Sequence, residues 1–222
     1  EVRLFTTVVD ADAEKDWGEV RGAILHGIEG FRCVRARCFV DATGDAVLAE
    51  RCGVACREAG RDTPDIMPAT LTGLYAGIDF DVFPKSRQRE FLEKAIADGH
   101  FSQPDHHLPG MSRISETVGY LNGGHEFRLD ALKTADRTRG MTDGRRRALE
   151  YESFYRKYVP GCAAMRLVAT GSLLGIRESR RIVGEYELSF ADYIARRQFP
   201  DQIGVFNKYV DIHPYDNSLE QW

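Results

Sequence analysis

The sequence predicts a mixed fold, α+β or α/β, and three observations carry that prediction. Its first forty residues hold three stretches of strand character joined by short links. Residues 37–53, R-C-F-V-D-A-T-G-D-A-V-L-A-E-R-C-G, order a short apolar strand, a glycine turn and a short helix. Further on, residues 84–97 and 142–158 space apolar side chains at helical intervals, among stretches that read as strands.

Each element follows from local chemistry. Residues 2–10, V-R-L-F-T-T-V-V-D, are rich in β-branched side chains and read as a strand; the charged stretch 11–18 reads as a turn. Residues 19–26 form a second strand, and Gly27 and Gly30 bound the link to a third, where Arg32, Arg35 and Arg37 alternate in part with apolar neighbours. Three sequential strands with short links make a β-meander. Cys38, Phe39 and Val40 read as its buried end, Thr43-Gly44 breaks the strand, and residues 46–52 read as a helix with Asp45 at the N-cap and Gly53 after its end. The first N–H groups of such a helix lack partners within it, so a ligand's phosphate can approach them over the glycine.

After Gly53, residues 54–57 read as a short strand, 60–65 as a loop, and 69–80 as a strand interrupted by Gly73 and Gly77. Residues 84–97 start with a proline, present Phe91, Leu92, Ala95 and Ile96, and precede Gly99, the signature of an amphipathic surface helix. A loop over 99–110 follows. Residues 112–121 and 125–129 flank Asn122-Gly123-Gly124 as the arms of a hairpin. Thr142-Asp143 caps a helix whose Leu149, Phe154 and Tyr158 recur at helical spacing, with Arg145-Arg146-Arg147 on a solvated face. Residues 165–170 read as a strand, Ser189 with Asp192 as a capping-box helix start, and 203–213 as a final strand.

Composition narrows the function. The chain has 222 residues, 43% hydrophobic and 29% charged, and a net charge of −4, so a globular domain or two is expected and no nucleic-acid-binding face is implied. Cys33, Cys38, Cys52, Cys56 and Cys162 are odd in number and irregularly spaced, which reads as reduced thiols in a cytoplasmic protein. No apolar run has the length of a membrane span. The chain begins at Glu1 with no initiator Met and contains no G-x-G-x-x-G, so it reads as an internal piece of a longer protein.

Two motifs carry a resemblance. D-A-T-G-D after an apolar strand, together with G-I-R-E-S-R-R-I-V-G-E-Y at 175–186, resembles the FAD-dependent oxidoreductases related to the fumarate reductase and succinate dehydrogenase flavoproteins, from the start of the chain to about Tyr186. The resemblance implies a Rossmann-like flavoprotein of which this is the central portion, lacking the N-terminal G-x-G-x-x-G unit and the C-terminal FAD segment. It implies that residues 1–60 belong to the FAD-binding domain, with Asp41, Ala42, Thr43, Gly44 and Asp45 against the cofactor. Residues 61–222 would then form a substrate-side domain with helices near 84–98, 142–158 and 190–198.

The chemistry expected on that basis is hydride transfer through the flavin to or from a small organic substrate. Arg177 and Arg180, in a cluster with Glu178 and Arg181, are candidates to bind a carboxylate or stabilise developing negative charge, or else form a structural Arg–Glu network between two domains. On a strand, Arg177, Ser179 and Arg181 would share one face and Glu178 and Arg180 the other. His125 is a candidate proton donor or acceptor, against the plainer reading of an exposed histidine after a turn. His100, His106 and His107 near Asp105 invite a metal reading, but neighbouring histidines point apart on an extended chain, and the expectation is no metal. No Ser/His/Asp set or P-loop suggests another reaction. The alternative is a non-catalytic binding or interaction module with a flavoprotein-like core. The partners expected are a small-molecule substrate, no nucleic acid and no membrane span, with room for a homo-oligomer of the full-length protein; the fragment alone is expected to be inactive.

Overall fold

The computed structural model describes residues 2–14, 18–84, 86 and 88–217. In chain order the elements are β1 (Thr7–Ala13), β2 (Val20–Gly27), β3 (Gly30–Val34), α1 (Val47–Arg51), β4 (Cys56–Glu58), β5 (Ala69–Thr70), β6 (Gly73–Ala76), α2 (Gln88–Ala97), β7 (Ser112–Arg113), β8 (Gly119–Leu121), β9 (His125–Glu126), α3 (Thr134–Tyr158), β10 (Arg166–Thr170), β11 (Arg180–Ile182) and α4 (Phe190–Ala195). Every strand pair among the described residues is antiparallel, so the fold is mixed with small antiparallel sheets.

The chain divides into two compact units, Glu1–Asp62 with Ser179–Asp211, and Thr63–Glu178 with Ile212–Trp222. The cut falls between Asp62 and Thr63, and residues 179–211 return to the first unit rather than continuing the second. In the first unit β1, β2 and β3 form the meander in that order, with irregularities in the β1 register between Val8 and Asp10 and between Asp12 and Ala13. Its core is small: Ala23, Leu48 and Cys52, with Val8, Leu25, Phe39 and Val54 packed around them. β11 pairs with β4, setting Arg180 opposite Glu58.

Residues 38–40 are not the buried strand expected. Phe39 reaches the core, but Val40 is 83% exposed and no strand pairs with this run among the described residues. Extended backbone becomes a strand only where a neighbour takes its N–H and C=O groups.

The second unit holds a four-stranded sheet in the order β10-β6-β8-β7, the pair β5-β9, and helices α2 and α3. Its core gathers Tyr75, Ile78, Leu92, Met111, Leu121, Phe154, Tyr155, Cys162 and Met165. The strand expected over 69–80 is split into β5 and β6, and Gly77 ends it with φ of +81°, where an added Cβ would come within 3.0 Å of Ala164 backbone. The hairpin expected across Asn122-Gly123-Gly124 does not form: β8 turns back on β7 and joins β6, while β9 pairs with β5. α3 starts at Thr134, eight residues before the expected cap, and buries Gly140, Gly144, Ala148, Tyr151, Phe154 and Tyr155 while Leu149 is exposed. Residues 203–213 form no strand or helix and are mostly exposed.

Candidate functional site

The D-A-T-G-D turn is built by its own polar side chains. Asp41 Oδ1 accepts from the Thr43 amide at 2.9 Å and the Thr43 hydroxyl at 2.7 Å, and Oδ2 accepts from the Ala49 amide at 2.9 Å. Thr43 Oγ1 in turn accepts from the Val47 amide at 2.9 Å. Burial pushes the Asp41 carboxyl up, but the Ala49 and Thr43 donors outweigh it and hold the group below the ordinary carboxylate range. Asp41 and Thr43 therefore cap α1, a role the sequence assigned to Asp45. The helix N–H groups expected to meet a phosphate are thus already taken.

Asp45 is turned elsewhere, because Gly44 and Ala46 on either side of it have φ of +81° and +50°. Its carboxylate accepts from the Ser179 hydroxyl at 2.6 Å, and its carbonyl accepts from Arg180 Nη1 at 3.3 Å. Arg180 Nε also donates to Glu58 Oε1 at 3.4 Å, so this guanidinium is tied to Glu58 and to the turn within the first unit. The strand within the R-E-S-R-R run is limited to residues 180–182, so the face-sharing expected of Arg177, Ser179 and Arg181 is not realised. Arg181 donates to Asp62 at 3.0 Å.

What faces outward is the apex. Ala42, Thr43 and Gly44 are exposed, and a Cβ built on Gly44 would meet nothing within 4 Å. The turn is rigid underneath and open above, a shape that fits close passage of a cofactor backbone. Flavin chemistry would come from the cofactor itself; these residues could contact and orient it.

Arg177 and His125 lie in the second unit. Arg177 is half-buried, and the neighbouring Glu178 accepts from the Met67 amide at 2.6 Å. His125 is 2% exposed, contrary to the exposed position expected after a glycine turn, because β9 carries it inward against β5. Its Nδ1 stands 3.2 Å from Asp105 Oδ2, which also accepts from the His125 amide at 3.0 Å. Burial raises the Asp105 carboxyl, but His125 and the amides of His125 and His107 outweigh it, and the group is held low.

The loop histidines do not converge as a set. His100 Nε2 lies 3.2 Å from the Glu150 carbonyl, and His106 Nδ1 2.9 Å from Glu93 Oε2. His107 instead joins His125 and His213, their ligand nitrogens within 4.8 Å of one another. Sequence reasoning missed this group because its members are 18 and 88 residues apart; a pattern of histidines at Gly-rich and Pro-rich turns is the only local trace. A surface cavity of about 560 Å³ in the same unit is lined by residues 77–81, 113, 116 and 117, away from Arg177 and His125 in its lining.

The antiparallel meander thus feeds an A-T-G turn that is locked by its own polar side chains and open at its apex. The family of FAD dependent oxidoreductases matches residues 1–222, and the chain belongs to that family. Neither the curated proteins nor the solved structures returned a match. No helix among the described residues is long and apolar enough to cross a membrane.

Proposed function

We propose that the chain forms the cofactor-contacting and substrate-side portion of a flavin enzyme of the fumarate reductase and succinate dehydrogenase type, acting on a small organic substrate. The observation that carries the reading is the Gly44 apex, exposed, at positive φ and with open space over it, in a chain matched throughout by a FAD-dependent family. When bound, FAD supplies hydride acceptance and donation at its N5 atom. The chain's own residues would do the rest. Ala42 and Gly44 offer backbone to the cofactor, while Asp41 and Thr43 hold the conformation of the turn. Asp45, fixed by Ser179 and Arg180, keeps the turn from closing over itself. Arg177 would orient an anionic substrate group, and His125, backed by Asp105, could hold or move a proton at its second ring nitrogen. Arg180 serves as a positioning residue for the turn.

The experiment compares Gly44→Val with Gly30→Val in the full-length protein. Both glycines have positive φ and open space around an added Cβ, so both substitutions strain the backbone alike. Loss of flavin absorbance, or a drop in FAD affinity of about tenfold or more, is expected for Gly44→Val alone. Equal retention of FAD by the two variants refutes the assignment of the turn.

A further inference from the structure

The strongest feature outside the cofactor turn is the meeting of three imidazoles in the second unit. His107 and His125 rings are 5.0 Å apart and nearly stacked, and His213 stands across both, at 5.0 Å and 5.1 Å with interplanar angles of 76° and 80°. Stacking alone would be satisfied by a pair. One ligand nitrogen from each of the three residues lies within 4.8 Å of the others.

The supports of this group are arranged as they are behind metal-binding histidines. Asp105, 3% exposed, places a carboxylate oxygen 3.2 Å from His125 Nδ1, the position of the acid behind a metal-bound imidazole. The same carboxylate accepts from the amides of His107 and His125, at 3.0 Å each, so one buried acid sets the backbone of two members. Near the third member, Asn217 Nδ2 donates to the Pro104 carbonyl at 3.0 Å, holding the segment that carries His213 to the loop that carries His107. Gln103 Nε2 donates to the His125 carbonyl at 2.9 Å and ties that loop to β9.

We propose that His107, His125 and His213 bind a divalent transition-metal ion of the zinc type, with Asp105 as the carboxylate behind His125. Imidazole nitrogen suits zinc, copper, iron and nickel. Three protein ligands leave a fourth position for water or a small ligand. Zinc–nitrogen bonds of about 2.0–2.1 Å put tetrahedral ligand nitrogens about 3.3 Å apart, so the rings close by up to about 1.5 Å on binding. His107 is only partly buried and can make that adjustment, while His125 is held in the core. A metal here would take His125 out of proton transfer and leave substrate orientation to Arg177.

The test uses the full-length protein, stripped with a chelator and then equilibrated with buffered Zn²⁺ or Co²⁺ alone. One zinc per chain by elemental analysis is expected, with visible Co²⁺ bands of tetrahedral type. His107→Gln and His213→Gln should each lower affinity by at least tenfold while circular dichroism of the stripped protein is unchanged. Asp105→Asn should lower it about 10–100-fold. His100→Gln and His106→Gln, in the same loop but engaged elsewhere, should bind as the parent does. Failure to bind stoichiometric metal overturns the proposal, as does binding that survives both His107→Gln and His213→Gln or is lost equally in His106→Gln. The FAD content of the protein reads the cofactor turn separately.

Discussion

Arg147 and Glu126 meet inside the second unit, where Glu126 is fully buried and the guanidinium nearly so. Nε donates to Oε1 at 2.7 Å and Nη2 to Oε2 at 2.5 Å, a two-pronged pair. Burial pushes the Glu126 carboxyl up, against the pull of Arg147. Removing one partner strands the other charge without water. Arg147→Ala is therefore expected to cost about 3–5 kcal/mol in urea denaturation, and a loss below about 1 kcal/mol would contradict the burial. In the sequence Arg147 is one of three consecutive arginines and looks solvated; its partner lies 21 residues away, beyond the reach of a local pattern. Cysteine reactivity is decided at this scale too. Burial lifts the Cys162 thiol to about 12, while Cys33 and Cys38 are exposed. Iodoacetamide at neutral pH should label Cys33 and Cys38 in the native protein and spare Cys162; early modification of Cys162 would show that its core is open.

α3 and α4 show opposite limits of helix rules. Gly→Ala within a helix ordinarily gains about 0.5–1 kcal/mol. At Gly144 an added methyl would stand 2.7 Å from Leu71 Cβ, and that atom cannot move without its backbone. Gly144→Ala should therefore lower the melting temperature, and a rise would mean that α3 and Leu71 are not so closely packed. Gly140 and Gly144, both buried in α3, diluted the helical pattern, which is why the first half of α3 was not legible in sequence. α4 was legible because its cap is local: Ser189 accepts from the Asp192 amide, and Asp192 accepts from the Ser189 amide at 2.9 Å. The Ser189 and Tyr186 hydroxyls, the Ser189 amide and Arg197 hold the Asp192 carboxyl well below its usual range. The sign follows: a lowered carboxylate stabilises fully above its ordinary value of 3.8 and that contribution is lost as pH falls through the lowered one. Ser189→Ala should cost about 1 kcal/mol at neutral pH, and the difference from the parent should shrink in acid; a difference that grows on acidification would exclude the cap as its source.

Across the whole chain, what sequence showed well was whatever neighbours in sequence decide: the meander, the break at Gly44, α2 and the capping box. What it misjudged depended on distant partners. Residues 203–213 read as a strand by residue type, but that could not name an edge to receive them, and none does among the described residues. Ile203, Val205, Phe206 and Tyr209 are instead exposed on backbone that belongs to no helix or strand, with Tyr193 Oη donating to the Lys208 carbonyl at 3.0 Å. Proteases cut where a stretch of backbone can enter their cleft without first breaking a ladder or a helix. Phe31 and Phe190 are comparably exposed, at 72% and 67%, but sit in β3 and α4. Brief chymotrypsin treatment of the native chain should therefore cleave after Phe206 or Tyr209, apart from trimming at the exposed Phe5, before it cleaves after Phe31 or Phe190. Mass spectrometry of the first large product decides the matter. Early cleavage at Phe31 with residues 203–210 intact would mean that this segment is paired as the sequence pattern suggested.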